Sequence, residues 1–530
     1  MTLKSTTRSK VRSAQSQPAS KPTSELTDPA DLFVKKKPVP YTPHAYNKKA
    51  IKFLIEHAAA ALFQDPGMGK TAETLAALKL LFKKGLVSKV LLIAPLRVCH
   101  LVWPKEVTKW ADFAQLRVVV LHGPKKDELL ASDADIYVIN PEGLDWLLQT
   151  TKTKTARGKT SVAVDVRRFK LLGFDTLVID ELSKFKHTNT NRFKALKQVL
   201  KTFGRRWGLT GSPAANGLLD LFGQCFILDE GRSLGPYISH YRSKYFETVD
   251  KAGFVWQPRR GAEDEIYRRV APLALRMDAD DYLELPELVT NVVKLDLPPD
   301  ARALYDELEE ELILELEEGA IVAKNAAVAS GKLRQIANGG IYLTPDLQPV
   351  GFKLPKAKRE WLNLHNTKVD AVEDLLGELQ GSPLLLAYEY EHDLDRLRAR
   401  FGLDLPYLGG GVATARAAEL ERLWNAGKLP VLACQPASVA HGLNLQESGY
   451  HICWHSQTWD YELFDQLVRR LRRQGSTAKR VFCHHLVVRR TIDEQLLLAT
   501  RRKEKGQQAF FKALQDLAKN KRKNMYNEID

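Results

Sequence analysis

Short apolar runs alternate with longer amphipathic stretches along the chain from Tyr41 onward. The apolar runs of the first half are typical of buried strands in their length and composition. They lie at residues 90–95, 116–123, 134–140, 174–181 and 205–212. Enough chain separates successive runs for a helix or a long loop. The pattern therefore predicts a parallel sheet that is covered by helices on both faces.

The pattern changes between residues 236 and 367, where apolar residues recur at spacings of three and four. This spacing predicts long helices, so we expect a helical insertion here and not a third sheet. Strand-like runs then return and predict a second α/β lobe. They lie at residues 383–390, 431–436, 450–456 and 480–488.

The predicted organisation follows from these changes of pattern. Its parts are a disordered basic N-terminal arm at 1–38, a first lobe at 39–235, a helical insertion and linker at 236–367, a second lobe at 368–500 and a basic tail at 501–530. The arm is rich in Ser, Thr, Lys and Pro and nearly lacks large apolar residues. It is expected to be disordered because it cannot bury enough apolar surface.

Composition narrows the class of protein. With 530 residues, the chain is long enough for more than one buried core. Lys and Arg number 79 against 64 Asp and Glu, and the net charge of +15 favours a polyanionic partner, most often nucleic acid. No uncharged apolar run approaches the roughly 20 residues that cross a bilayer, so a membrane protein is not expected.

Cysteine usage indicates a reducing compartment. The five cysteines are widely spaced and form no C-x-x-C pair. Cys483, His484 and His485 are adjacent in an apolar run. Because neighbouring side chains of a strand point to opposite faces, we do not expect these residues to converge on one metal ion.

A glycine-rich segment, Q-D-P-G-M-G-K-T, joins an apolar run to an amphipathic helix. Gly67 and Gly69 let backbone N–H groups approach a phosphate, and the helix N-terminus adds partial positive charge. Lys70 can reach the β- and γ-phosphate oxygens, and Thr71 can hold Mg²⁺. The match to G-x-x-x-x-G-K-[ST] is imperfect, because Gln64 stands at the first glycine position. The segment predicts a nucleotide loop, and the alternative is a glycine turn with a solvated lysine.

Two further segments place polar side chains at the ends of apolar runs. Asp180 and Glu181 form an adjacent pair in which one carboxylate can coordinate Mg²⁺ and the other can orient an attacking water. Thr210 and Ser212 flank a tight turn, where short hydroxyls can sense the γ-phosphate. Alone, each segment would be read as a strand that ends in solvated polar residues. The preceding Lys70 loop favours a catalytic site.

A helix in the second half carries a dense run of arginines. Arg470 and Arg473 are three residues apart and share a face with Gln466, so they can point into one cleft. Phosphoryl transfer requires positive charge near the transferring group, and an arginine finger contributes about 10³ to 10⁵ in rate. The alternative is a solvated basic helix, or one that lies on DNA phosphates.

Six segments occur in an order and at spacings that resemble the Snf-type (sucrose-nonfermenting) double-stranded-DNA translocases of helicase superfamily two. They read GMGKT, APLRVCHLVWPKEVTKW, DELS, LTGSPAANGLLDLF, SVAHGLNLQ and QLVRRLRRQGS. The resemblance covers residues 40 to 500, nearly all of the chain expected to be ordered. Three more segments, LALRMDADDYLELPE, KLRQIANGGIY and TIDEQL, resemble the compact versions carried by bacteriophages and prophages.

The resemblance implies an α/β fold of two RecA-like lobes, each a mainly parallel sheet flanked by helices. ATP would bind between the lobes, and nucleic acid would run across both. Lobe one would supply Lys70, Thr71, Asp180 and Glu181, and lobe two would supply Gln466, Arg470 and Arg473. The resemblance also implies that Arg97, Gly442 and Asn444 lie along the DNA track. Backbone amides and basic groups there would hold phosphates without reading bases.

Two positions depart from the family pattern. Asn47 stands where the family has a glutamine that reads adenine, so the selectivity for adenine is open. Ser183 replaces the histidine of the D-E-x-H box, so the coupling between hydrolysis and movement is open as well.

The sequence therefore predicts a motor that uses ATP and Mg²⁺ to track along double-stranded DNA and to remodel it or displace bound protein. Two alternatives stay open: a strand-separating helicase on forked or branched DNA, and a DNA-binding scaffold with a degenerate ATP site. Replication, recombination or nuclease proteins are candidate partners. A phage-encoded chain of this kind is expected in the cytoplasm of the host bacterium.

Overall fold

The computed structural model describes residues 37–154, 160–248, 256–317, 323–343, 360–439 and 443–504. Its strands are, in chain order, β1 (Ala59–Gln64), β2 (Val90–Ile93), β3 (Val118–Val120), β4 (Ile136–Ile139), β5 (Thr151–Lys154), β6 (Thr160–Ala163), β7 (Thr176–Asp180), β8 (Arg205–Thr210), β9 (Phe246–Thr248), β10 (Trp256–Pro258), β11 (Ala274–Met277), β12 (Glu287–Leu295), β13 (Gly340–Tyr342), β14 (Trp361–Asn363), β15 (Leu384–Ala387), β16 (Tyr407–Leu408), β17 (Val431–Cys434), β18 (His451–Trp454) and β19 (Arg480–Val488).

The α-helices are, in the same order, α1 (Ala45–Glu56), α2 (Lys70–Lys83), α3 (Leu96–Leu101), α4 (Trp103–Lys109), α5 (Lys126–Ala131), α6 (Leu144–Leu147), α7 (Val166–Leu171), α8 (Asn191–Val199), α9 (Leu221–Asp229), α10 (Ile238–Tyr245), α11 (Ala262–Val270), α12 (Pro299–Glu317), α13 (Ala323–Asn338), α14 (Thr367–Leu379), α15 (Glu391–Phe401), α16 (Thr414–Asn425), α17 (Pro436–Val439), α18 (Tyr461–Leu471) and α19 (492–504).

Lobe one is built on a seven-stranded sheet in the order β11-β1-β8-β7-β2-β4-β3, and every neighbouring pair in it is parallel. Successive side chains of a strand point to opposite faces. Leu62 and Phe63 of β1 are both buried and belong to different hydrophobic clusters. Leu75 of α2 lies in the cluster of Leu62, and Phe193 of α8 lies in that of Phe63. The sheet is therefore covered on both faces, as the apolar runs predict.

Lobe two repeats this architecture. Its six-stranded sheet has the order β12-β19-β18-β15-β17-β16, again with parallel neighbours. Leu385 and Leu386 of β15 are fully buried in two separate clusters, one on each side of the sheet. The two parallel sheets with flanking helices confirm the predicted fold class.

The predicted helical insertion at 236–367 needs a correction, because two of its segments join the main sheets. Strand β11 lies at the edge of the lobe-one sheet beside β1, and β12 pairs with all of β19 at the edge of the lobe-two sheet. The side chains of β12 are half-buried or exposed. Such an edge strand lacks the continuous apolar run that marks the inner strands. Helices α10 to α13 fill the rest of this region, together with short hairpin strands.

A last helix lies at the predicted end of lobe two. Helix α19 continues through residue 504. Its residues Ile492 and Leu496 pack with Tyr305 of α12 in one hydrophobic cluster, which ties the helix to the fold. The N-terminal arm before residue 37 and the tail after residue 504 lie outside the described residues.

Candidate functional site

The ends of three adjacent strands bring the predicted lobe-one residues together. Strand β8 lies between β1 and β7 in the sheet. In the register, Thr210 pairs with Phe63, and Asp180 pairs with Leu209. Because all three strands are parallel, their carboxyl ends meet at one edge of the sheet, where α/β proteins bind their ligands.

The phosphate loop follows β1 and leads directly into α2. Gly67 and Gly69 have φ values of +95° and +97°, the left-handed region that glycine adopts most readily. The ammonium group of Lys70 donates to the carbonyl oxygens of Gln64 at 2.7 Å and Asp65 at 3.0 Å. Burial lowers the pKa of Lys70, and the acidic pair opposite partly offsets this shift. The loop thus presents a lysine and a helix N-terminus to an anion.

Asn47 lies beneath this loop and not at its open side. Its side chain is buried, and Nδ2 donates to Met68 O at 3.0 Å and to Glu73 Oε1 at 2.7 Å. Its Oδ1 accepts from His44 N at 2.9 Å. Burial raises the pKa of Glu73 to about 7. Both amide hydrogens of Asn47 are therefore used within lobe one, and an adenine contact by this residue stays a prediction.

The acidic pair lies at the end of β7. Asp180 Oδ2 accepts from the indole nitrogen of the buried Trp103 at 3.0 Å. Burial, together with the charge of Glu181, raises the pKa of Asp180 to about 6. Glu181 has a φ of +66°, which is unusual for a residue other than glycine and sets it at a sharp turn after the strand.

Hydroxyl groups surround the carboxylate of Glu181. Its Oε1 accepts from Ser183 Oγ at 3.0 Å and from Thr210 Oγ1 at 3.1 Å. Ser212 N donates back to Thr210 Oγ1 at 3.2 Å, and Ser212 Oγ donates to Asp465 Oδ2 of α18 at 3.3 Å. The two residues predicted to sense the γ-phosphate therefore connect Glu181 to lobe two.

The donor set fits Mg²⁺. The carboxylate of Asp180 and the hydroxyl of Thr71 are hard oxygen ligands of the kind that Mg²⁺ takes beside a nucleotide phosphate. Thr71 is the second residue of α2, directly after Lys70, and the charge of Asp180 acts on Lys70. Within the described part of the chain, no group of three or more His, Cys, Asp or Glu side chains could hold a metal ion unaided.

Arg470 lies at the end of α18, and Arg473 lies in the bend after it, beside the phosphate loop. Because α18 ends at Leu471, Arg473 is not on the helix that the sequence predicts. A Cβ on Gly67 would lie 2.8 Å from Arg473 Nε, so the Arg473 side chain passes directly over this glycine. Arg473 also donates to Asn444 Oδ1, and Arg470 Nη1 donates to Leu443 O at 2.9 Å. Burial, with the charge of Arg473, lowers the pKa of Arg470 to about 10. The structure therefore brings both predicted arginines to the cleft that holds Lys70.

Gln466 lies one turn before Arg470 on the same helix. Its Nε2 donates to Glu462 Oε1 at 3.3 Å, and the side chain is buried. Among the described residues, Gln466 Oε1 has no hydrogen-bond partner. Glu462 was not predicted from the sequence, because an isolated acid in the first turn of a helix is an ordinary helix-stabilising residue.

A buried ion pair between the lobes also escaped the sequence analysis. Asp65 of the phosphate loop pairs with Arg469 of α18 at 2.9 Å and with Arg276 of β11 at 3.0 Å. Burial by itself would raise the pKa of Asp65, but the two arginines lower it to about 2. Arg469 was visible in the sequence, but its partner lies far away in the chain and carries no local pattern.

Two of the three residues expected along a DNA track, Arg97 and Asn444, lie at the junction of the lobes. Arg97 of α3 donates to the carbonyl oxygens of Ser438 and, at 3.5 Å, of Val412 in lobe two. Asn444 accepts from Arg473, as described above, and its backbone N donates to Glu421 Oε1 at 2.9 Å. Gly442 lies outside the described residues. DNA contacts by these residues stay a prediction.

The Cys-His cluster of β19 behaves partly as expected. His484 lies on the same face of the sheet as His451, and His484 Nε2 is 3.0 Å from His451 Nδ1. Cys483 and His485 share the other face, with Sγ and Nε2 3.4 Å apart, so two of the three side chains do converge. His485 Nδ1 contacts Gln457 Oε1 at 2.9 Å. These contacts form a buried polar cluster in lobe two.

Two parallel-sheet lobes that meet at a phosphate loop, a carboxylate pair and paired arginines define a P-loop protein of the two-lobed class. A profile of the SNF2-related domain matches residues 46–340. The chain belongs to the SNF2-related family, and the resemblance found in its motifs is thereby confirmed.

Several known proteins are similar to this chain. Protein p41 of Acyrthosiphon pisum secondary endosymbiont phage 1 is 33% identical over 497 residues, which span 90% of this chain and 98% of p41. The chromatin-remodeling factor PICKLE of Arabidopsis thaliana is 23% identical over 489 residues, and the match spans 87% of this chain but only 34% of PICKLE. The Sulfolobus solfataricus SWI2/SNF2 ATPase core in complex with dsDNA is 22% identical, with 90% of this chain and 97% of that chain covered and a TM-score of 0.40.

Within the residues that the structure describes, no helix combines the length needed to cross a bilayer with sufficient apolar character.

Proposed function

We propose that this protein is an ATP-driven motor that moves along double-stranded DNA and displaces or remodels what it meets there. The observation that carries the proposal is the position of Arg473 over Gly67, because it closes a lobe-two cation onto the lobe-one phosphate loop. Membership in the SNF2-related family supports ATP hydrolysis and DNA binding. The relationship to a phage protein supports a place of action in a bacterial host.

The residues divide the chemistry of hydrolysis between the lobes. Lys70 and the first amides of α2 bind the β- and γ-phosphates. Thr71 and Asp180 would hold Mg²⁺, which would offset phosphate charge when bound. Glu181 orients the attacking water. The hydroxyls of Ser183 and Thr210 hold the Glu181 carboxylate in place. Arg470 and Arg473 then stabilise the charge that develops on the transferring group, so turnover requires the lobes to close.

A motor is favoured over a scaffold with a degenerate ATP site by the intact set of polar groups at the site. A scaffold with a degenerate ATP site has no need to keep two arginines, a lysine and two carboxylates together against the cost of burying them. We expect binding through phosphates with little base specificity, and therefore an affinity for DNA that falls steeply with salt.

The deciding experiment is phosphate release by the purified chain with and without DNA. Lys70→Ala is expected to abolish DNA-stimulated release, whereas Lys83→Ala, which removes an exposed lysine from the end of the same helix, should leave it intact. Unchanged release by Lys70→Ala would refute the motor.

A second comparison separates the two kinds of motor. A translocase on duplex DNA should be stimulated by blunt duplex as strongly as by duplex with a free strand. Stimulation that requires a single strand or a fork would instead support the strand-separating helicase.

A further inference from the structure

Three polar side chains in hydrogen-bond contact, Glu181, Ser183 and Glu462, join the two lobes. Ser183 Oγ lies 3.0 Å from Glu181 Oε1 in lobe one and 2.6 Å from Glu462 Oε1 of α18 in lobe two. Ser183 is buried, and so is Glu462. The serine therefore bridges Glu181 and the helix that carries Arg470 and leads into Arg473.

Glu181, Ser183 and Glu462 share few hydrogens, and this number limits which hydrogen bonds they can form. A serine hydroxyl has one hydrogen to donate, and an ionised carboxylate can only accept. Two ionised carboxylates at 2.6 and 3.0 Å from one hydroxyl would leave one of the two contacts without a hydrogen. Both contacts are satisfied when Glu462 is protonated: it donates to Ser183, and Ser183 donates to Glu181. The O···O distance of 2.6 Å at Glu462 is typical of such a short O–H···O bond.

The charged and titratable groups around Glu462 come from several elements. Glu181 faces it from the end of β7, and Lys186 lies 3.5 Å from its Oε2 but also 3.3 Å from Asp220 Oδ2. Asp460 caps the same helix. Burial and the charge of Glu181 raise the pKa of Glu462 to about 7, although Lys186 and Ser183 oppose this shift.

We propose that Glu462 is a positioning residue that, in its protonated form, holds Glu181 through Ser183 and so ties the orientation of the hydrolytic carboxylate to the approach of α18. This inference rests on the proposed function, because it assigns Glu181 to hydrolysis. It predicts that deprotonation of Glu462 breaks the contact through Ser183, because two negative carboxylates then face each other across that residue. Lobe closure and turnover accordingly weaken as the pH rises through about 7.

The kinetic test compares Glu462→Gln with the unmodified chain over a range of pH. Glutamine supplies an N–H donor at every pH and mimics the protonated acid. Between about pH 6.5 and about pH 8.5, kcat of the unmodified chain should fall on the order of tenfold more than that of Glu462→Gln. Glu419→Gln, at an exposed glutamate that pairs with Arg416 within α16, is the matched control and should keep the original profile.

Ser183 variants test the hydrogen-bonded bridge between Glu181 and Glu462. Ser183→Ala removes the bridging hydroxyl, and we expect kcat to fall at least tenfold while KM for ATP stays within about twofold. Ser183→Thr keeps a hydroxyl and should restore most of kcat. A purely structural role for Ser183 would move the thermal midpoint without this split between kcat and KM.

A readout that does not depend on activity follows the distance between the lobes. The five native cysteines are buried, so added surface thiols can be labelled selectively. Leu171→Cys and Leu403→Cys place labels at side chains that are 87% and 76% exposed, one in each lobe. Energy transfer between them, with a non-hydrolysable ATP analogue bound, should decrease as the pH rises through about 7. In the Glu462→Gln background it should stay constant.

The outcomes separate this inference from the proposed function. Identical pH profiles of turnover and energy transfer in the unmodified chain and in Glu462→Gln would overturn it. If Glu462→Gln fails to fold, as judged by its thermal midpoint, equal kcat values for Ser183→Ala and Ser183→Thr would overturn it instead. Unchanged activity of Lys70→Ala would refute the motor, and the energy-transfer measurement would then still decide whether Glu462 controls closure.

Discussion

Arg473 of lobe two lies directly over Gly67 of the phosphate loop, and a Cβ at position 67 would come within 2.8 Å of its Nε. The contact joins residues that are remote in sequence and belong to different lobes. In the proposed function it places a guanidinium group where the charge of a transferring phosphoryl group would develop. Any added atom at Gly67 must move this arginine.

The replacement Gly67→Ala tests that contact. The new methyl group would displace Arg473, and alanine would be strained at a φ of +95°. We expect turnover to fall by at least about 10-fold beyond any loss of stability. Gly85→Ala is the control: its φ is +65°, and a Cβ there would meet no described heavy atom within 4 Å. Equal activities of the two variants would argue against a role for the contact.

Loss of the arginine itself should separate binding from turnover. Arg473→Ala is expected to bind ATP nearly as well as the unmodified chain but to lower kcat by about 10³ to 10⁵. Nucleotide titration and single-turnover phosphate release measure the two quantities. Arg416→Ala removes an exposed arginine of lobe two and should change neither. Weakened ATP binding with normal turnover would contradict the assigned role.

The pairing of Asp65 predicts a pH-dependent stability. Asp65→Asn removes the carboxylate that Arg276 and Arg469 share, and we expect it to cost about 1.5 to 3 kcal/mol. Each arginine keeps a second carboxylate, Asp278 and Asp465 respectively. The pKa of Asp65 is lowered to about 2 from 3.8, so its charged form stabilises the fold above pH 3.8 by about 2 kcal/mol. That contribution is lost as the pH falls toward about 2.

Denaturant unfolding at several pH values checks this prediction. The difference in free energy of unfolding between Asp65→Asn and the unmodified chain should narrow below about pH 4. Asp133→Asn, at a carboxylate that is 88% exposed, should show little change at any pH. A constant difference for Asp65→Asn across the range would contradict the pairing.

We expect Asn47 to stabilise the phosphate loop and not to contact the adenine base. Asn47→Ala removes the donors to Met68 O and Glu73 and is expected to destabilise lobe one by about 1 to 3 kcal/mol. Because its hydrogens are used within the loop, ATP and GTP binding should weaken by similar factors. Paired titrations with the two nucleotides measure this ratio. A loss confined to ATP would show that Asn47 reads adenine after all.

The sequence by itself determined the parallel sheets and the lobe-one half of the site. Buried strands and the turn between β1 and α2 are encoded locally, by continuous apolar runs and by glycines at Gly67 and Gly69. Asp180 and Thr210 were readable as polar residues at the ends of apolar runs, whereas the order of the strands that they end came from the tertiary structure. The helical spacing of Gln466 and Arg470 was likewise readable, because it is a local property. Arg473 lies beyond the end of α18 at Leu471 and not on the helix face that the spacing predicts.

The tertiary structure alone decided which charges meet. Ser183 and Glu462 are separated by 279 residues, and Asp65 and Arg469 belong to different lobes. Such pairs depend on how two independently folded sheets approach each other, and no periodicity within the chain records that approach. Strands β11 and β12 were missed for a related reason. Edge strands are stabilised by one neighbour and partial burial, so their sequences carry only a weak apolar signal.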